Sequence, residues 1–320
     1  QQYIENIPAL VWNLDTLVVK ETASGRNLWT LRIGDIAGDA VLDGDRIYVG
    51  ADTGILYAFN AQGHERIAWQ FRTGAPLRAT PAFNGTTVFA ASNDGAVYAL
   101  DKANGTLRWS YKVQGLEPRA FQFFSTPAAG DGRVFVGAAN RRLYCLDAGS
   151  GKLLWQAQLS DWIRSRPLVI GSNVVAASMD GTVHAFSSAG VQLWRAKVGE
   201  HQVMADLVGD EAGVLVSSSD LYLHSLAPSD GTRQWRHSLI EAAYIDGERI
   251  TADMIAGGAD YQSSPAIVDG VAYVGAPNRF VYAVNARTGK EIWRFETSGQ
   301  VSGTPTVAEG RVYFGQQGGN

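Results

Sequence analysis

The segment LRATPAFNGTTVFAASNDGAVYALDKANGTLRW, residues 77–109, reads as four short strands joined by tight turns. Its runs Val88-Phe89-Ala90 and Val97-Tyr98-Ala99-Leu100 are apolar and rich in β-branched and aromatic residues, the composition of buried strands. Asn84-Gly85 and Asp94-Gly95 punctuate the runs, since Gly or Asn accepts the positive φ of a tight turn. The segment closes on Trp109, in the fourth strand. Working outward, the same plan recurs in FFSTPAAGDGRVFVGAANRRLYCLDAGSGKLLW (123–155) and YQSSPAIVDGVAYVGAPNRFVYAVNARTGKEIW (261–293), with looser copies at 37–69, 163–194 and 203–235. Seven of the nine tryptophans, Trp29, Trp69, Trp109, Trp155, Trp194, Trp235 and Trp293, follow one another at spacings of 40, 40, 46, 39, 41 and 58 residues. A period of about 40 residues per four-stranded antiparallel unit is the signature of a β-propeller blade.

The chain ends bear on closure. Residues 301–320 match the first two strands of a blade, and residues 14–29 match the last two, with Trp29 opposite Trp109. The repeat therefore predicts an all-β, seven-bladed propeller occupying residues 1–320 as one domain. Six whole blades would be joined by a composite blade of 301–320 with 14–29, which leaves no unpaired strand edge. Residues 1–13 are a tail or an added strand. An eighth blade is the alternative if the chain continues into its own third and fourth strands. The start at Gln1 leads us to expect a piece processed or excised from a larger protein.

Composition removes several function classes. The 320 residues are 46% apolar and 18% charged, with 27 basic and 31 acidic residues, for a net charge of −4. Nucleic-acid binding is not expected, because phosphate recognition needs a basic excess. No run of about 18 apolar residues is present to form a membrane-spanning helix. One cysteine, Cys145, excludes an intramolecular disulfide and a cysteine-rich zinc site.

The phrase Leu-Asp-x-x-x-Gly-x-x-x-Trp, at 100–109 and 146–155, recurs in register with Ser/Thr-Pro at Thr80-Pro81, Thr126-Pro127, Ser264-Pro265 and Thr304-Pro305. In these features residues 14–320 resemble the pyrroloquinoline-quinone-like repeat, whose superfamily includes quinoprotein alcohol dehydrogenases and an outer-membrane assembly lipoprotein. The resemblance implies that the seven tryptophans dock between neighbouring blades and are structural. It implies no cofactor: the quinoprotein Cys-Cys pair and the calcium and quinone residues have no match. An extracytoplasmic location, periplasmic or secreted, is a further implication.

A site is expected where the loops joining the fourth strand of one blade (D) to the first of the next (A) enter the channel. Three columns align there. The first is Asp35, Pro76, Gln122, Trp162, Gln202, Asp260 and Gln300; the second is Ile36, Leu77, Phe123, Ile163, Val203, Tyr261 and Val301. The third is Ala37, Arg78, Phe124, Arg164, Met204, Gln262 and Ser302. Strand side chains alternate faces, so the apolar second column should pack between blades and the flanking columns should face the channel. Carboxamides, guanidiniums and an indole there suit a protein partner or a polar small molecule such as a saccharide. A hydrated channel wall is the alternative. Two D–A connections are long. One runs through 112–122 and adds Glu117 and Arg119; the other, 236–260, contains a small hairpin with an Asp246-Gly247 turn.

The ligand-binding candidates are thus Arg78, Arg119, Gln122, Trp162, Arg164, Gln202, Gln262 and Gln300. His184 and His224 fall opposite Tyr98 at a packing position. His201, with Asp260 and Tyr261, would serve a lyase that abstracts a proton beside a uronate carboxylate. Two function classes follow. One is a non-catalytic binding, scaffolding or sensor domain, with other domains of its parent chain among the possible partners; the other is an enzyme acting on an acidic saccharide at the same mouth. Neither a metal nor an organic cofactor is called for by any spacing in the chain.

Overall fold

The computed structural model describes residues 8–12, 16–21, 27–32, 36, 38–61, 67–114, 125–199, 202–240, 244–245, 248–249, 263–308 and 310–316. Among them there are strands and turns and no helix. Six four-stranded antiparallel sheets form at the places the repeat predicts, blades I to VI at 41–72, 82–112, 128–158, 168–197, 208–238 and 266–296. In blade II the strands A to D are Ala82–Asn84, Thr87–Ser92, Ala96–Asp101 and Leu107–Lys112. These are the blades of a β-propeller.

Strands B and C are apolar along their length because both faces are covered. Thr87–Ser92 is buried throughout, whereas the outer strand Leu107–Lys112 buries chiefly Trp109. The core accordingly lies between successive blades. Tyr48, Leu56 and Trp69 of blade I pack with Leu77, Val88 and Leu100 of blade II, and Val175, Val183 and Trp194 of blade IV pack with Val214 and Val216 of blade V.

The tryptophans show why the period is kept. Just before Trp29, Trp69, Trp109, Trp194, Trp235 and Trp293 the C–D ladder slips by one residue, as between Ala99 and Leu100 opposite Trp109, and such a bulge re-aims the strand. The Trp109 ring lies under the next C–D turn, where a Cβ on Gly151 would stand 2.5 Å from it, and its Nε1–H donates to the Ala148 carbonyl at 3.0 Å. Gly151 has φ +70°, so both the backbone and the ring demand glycine. Trp69, Trp155 and Trp194 repeat the arrangement, donating to Lys102 (3.0 Å), Ser188 (3.0 Å) and Pro228 (2.8 Å). Trp235 packs on Gly289 in the same way, but its buried Nε1–H has no acceptor among the described residues. Trp293 differs: it is 38% exposed. The side chain of Trp29 lies outside the described set, although its backbone pairs in register with Val19.

The chain ends carry two further sheets. Among the described residues, Thr16–Glu21 and Asn27–Arg32 lie in one, and Thr306–Ala308 and Arg311–Tyr313 in the other. Thr16–Glu21 is central in a three-stranded sheet, with Asn27–Arg32 on one edge and Pro8–Trp12 on the other. Of the two readings of residues 1–13, a tail or an added strand, Pro8–Trp12 follows the second. A connection of three residues closes such a hairpin at small entropic cost. The C-terminal sheet pairs Thr306–Ala308 with Arg311–Tyr313.

By contact density the chain divides into two compact units, Gln1–Val136 with Leu146–Leu153, and Gly137–Cys145 with Leu154–Asn320. Blade III contributes to both. The small hairpin in the long insertion is present, Tyr244 pairing with Arg249 and Ile245 with Glu248.

Candidate functional site

Each D–A loop begins by bonding to the B–C turn of the blade it has just left. The amides of Thr73, Val113, Leu159, Val198, Leu239 and Thr297 donate to the carbonyls of Gly54, Gly95, Arg141, Gly181, Leu221 and Arg279 at 2.7–3.0 Å. B–C turns and D–A loops therefore share one face of each blade. The accepting residue is left-handed every time, and in three blades it is not glycine: Arg141, Leu221 and Arg279 have φ 64°, 64° and 66°. Such a conformation costs on the order of 1 kcal/mol, offset by the bond it allows.

In the second unit, two successive D–A loops bring predicted residues together. Trp162 is 45% exposed, its amide held by the Asp161 carboxylate at 2.8 Å and its carbonyl by the Met179 amide at 2.8 Å. The next residue, Ile163, is fully buried where blade III has Gly137, which leaves no room for a Cβ. Arg164 turns back outward, its Nη1 3.3 Å from the Met204 sulfur of the following loop. Gln202 is exposed, with its carbonyl accepting the Ser219 amide at 2.9 Å. Val203 is fully buried. Ile163 and Val203 are buried beside the exposed Trp162 and Gln202, whereas Met204, expected to face outward, is itself buried.

Two residues that the columns did not include complete the cluster. Asp206 accepts the Arg166 amide at 2.7 Å, lies 3.9 Å from the Arg166 guanidinium, and donates its own amide to Ser264 at 2.8 Å. One third of the Asp206 side chain stays accessible, yet desolvation pushes its carboxyl above the ordinary carboxylate range, against the pull of Arg166. The signal was present in the repeat: Arg166 and Asp206 stand where Thr80, Thr126, Ser264 and Thr304 stand in other blades.

The remaining candidates are placed as follows. Arg78, in the first unit, pairs with Asp52 at 3.0 Å, beside a fully packed Leu77. Gln300 is half-buried ahead of the buried Val301. Arg119, Gln122 and Gln262, and the whole proton-abstraction set of His201, Asp260 and Tyr261, lie outside the described residues. His184 and His224 are buried in strand C, and Cys145 is a buried free thiol. No group of three or more His, Cys, Asp or Glu among the described residues is placed to hold a metal ion. No helix there is long and apolar enough to cross a membrane. Chemically, these loops offer an exposed indole face, guanidinium donors and a carboxylate whose proton affinity desolvation raises.

Comparison with known proteins agrees with the fold. The chain is 27% identical over 254 residues to the outer membrane protein assembly factor BamB of Yersinia pestis, covering 75% of this chain and 52% of that protein. It thus spans about half the length of that curated relative. A 51-residue stretch is 47% identical to a tetrathionate hydrolase of Acidithiobacillus ferrooxidans, 16% of this chain and 10% of that one. Among solved structures, BamB from Moraxella catarrhalis superposes with a TM-score of 0.73 at 20% identity, over 98% of this chain and 96% of that one. The computationally designed Ika8 protein superposes with a TM-score of 0.76 at 15% identity, over 98% and 94%. The model of the family described as outer membrane protein assembly factor BamB matches residues 15–126, 118–253 and 219–320. A match running through all the blades in this way means that the chain belongs to the BamB family of propellers built from pyrroloquinoline-quinone-like repeats.

Proposed function

We propose that this chain is a non-catalytic scaffold outside the cytoplasm, which takes part in outer membrane protein assembly by docking a protein partner on the D–A loop face of blades IV and V. The carrying observation is the exposed Trp162 two residues before Arg164, which reaches Met204 of the following loop. A carboxylate with a raised pKa, such as Asp206 in the same loop as Met204, lowers stability at neutral pH, and retaining one there fits a binding role. Aromatic and arginine side chains at the centre of such a patch supply most of the energy of a protein interface.

The test is site-specific photo-crosslinking from position 162 in a cell that depends on the protein. A cross-link to a component of the outer-membrane assembly machinery is expected, reduced at least about ten-fold by Arg164→Glu, with lowered levels of outer-membrane barrel proteins. Unchanged cross-linking and unchanged barrel-protein levels in Arg164→Glu and Trp162→Ala would overturn the proposal.

A further inference from the structure

Four B–C turns carry one polar pair, an Asp or Asn on the turn and a ring four residues on in strand C. In blade II, Asp94 Oδ2 accepts the Tyr98 hydroxyl at 2.6 Å and the amide of Gly74, in the incoming D–A loop, at 2.8 Å. In blade VI, Asn278 Nδ2 donates to the Tyr282 hydroxyl and to the Leu239 carbonyl of the incoming loop, both at 2.7 Å. Blade III pairs Asn140 with Tyr144 at 2.7 Å. Blade V replaces tyrosine with histidine: His224, fully buried, places Nε2 3.1 and 3.3 Å from the two Asp220 oxygens. Its Nδ1 is buried and makes no hydrogen bond among the described residues, so Asp220 is the hydrogen-bond partner that orients the ring, with Nε2–H as donor, while the Tyr222 ring packs 5.9 Å away.

Asp220 also touches the incoming loop. A Cβ on Gly199 would stand 2.6 Å from Asp220 Oδ2, and the neighbouring Ser219 amide holds the Gln202 carbonyl. The turn thereby bonds the loop at Gln202 and stands close against it at Gly199, ahead of Met204 and Asp206.

We propose that Asp220 and His224 are positioning residues for the incoming loop at Gly199 and at 202–206: the buried ring fixes the carboxylate, and the turn that carries the carboxylate fixes the loop. The consequence for partner binding rests on the docking reading above. The equivalence of the four pairs yields a prediction that simple core packing does not. Tyrosine at 224 would rebuild the pair seen at Asp94–Tyr98, whereas phenylalanine would fill the space without a donor.

Amide hydrogen exchange on the whole chain tests this. Asp220→Ala and His224→Phe should each speed exchange in 202–206 by about ten-fold, while His224→Tyr stays within about two-fold of the parent. The loop at 74–78, held by Asp94–Tyr98, is the internal reference and should not change. If His224→Phe fails to fold, Asp220→Ala reads the same contact from the turn. Unchanged protection in Asp220→Ala, or failure of His224→Tyr to rescue, overturns the proposal. A loosened loop with undiminished cross-linking from position 162 overturns the docking reading and leaves the positioning role standing.

Discussion

Trp109 and Trp293 occupy the same position in the repeat and have the same partner within their own blade. The Trp109 ring lies 5.8 Å from Phe89, and the Trp293 ring lies 5.8 Å from Tyr273. Their exposures nonetheless differ, 9% against 38%. Two residues on, Tyr111 is half-buried and Phe295 is 57% exposed. The difference lies in what covers the ring. Trp109 has the Gly151 turn over its face and the Ala148 carbonyl at its Nε1. The sheet that follows blade VI, Thr306–Ala308 with Arg311–Tyr313, contributes two strands and no C–D turn among the described residues. A tryptophan in register thus marks a blade, but the turn of a different segment decides whether it is a pin.

The comparison is easiest to break at the rings themselves. Trp109→Ala should cost about 3–5 kcal/mol in denaturant unfolding, and Trp293→Ala less than about 2. Equal losses would mean that cover by the next turn adds nothing. Glycine separates contact from backbone strain. Gly151 and Gly132 are both left-handed, at φ +70° and +68°, but only Gly151 faces a ring. Gly151→Ala should cost about 2–4 kcal/mol and Gly132→Ala about 1, read from the same unfolding curves.

Protons probe the covered interior more gently. His184 is 4% exposed, and burial lowers its pKa below the ordinary 6.5. As pH falls through 6.5 the unfolded chain takes up a proton that the folded chain refuses, so stability present above that value is lost below it. The melting temperature should drop between pH 8 and pH 5, and His184→Phe should flatten the drop. The smallest effect is expected on the exposed side. Phe295→Ser should change stability by no more than about 0.5–1 kcal/mol, since an exposed side chain has little burial to lose. A larger loss would show that Phe295 is covered in solution.

Much of the fold is legible from period and turn chemistry. The alternation that sends Leu77, Ile163, Val203 and Val301 inward is a property of any strand, and all four are buried. The histidines opposite Tyr98 read as packing, and they are buried; the polar pair that His224 makes with Asp220 was not legible, since four-residue spacing on a turn-strand junction has no fixed meaning. Arg166 and Asp206 were missed for another reason. They break the Ser/Thr-Pro phrase, but only their meeting across 40 residues gives the departure a purpose.

By itself the sequence determined the repeat, the four strands of each blade, and the faces to which side chains turn. These follow from local sterics and a period of two, which act within a few residues. Only the tertiary structure decided which tryptophan is covered, that Pro8–Trp12 pairs with Thr16–Glu21, and that Arg164 reaches Met204 and Arg166 meets Asp206 across successive loops. Burial and contact depend on segments far apart in the chain, and no local pattern contains them.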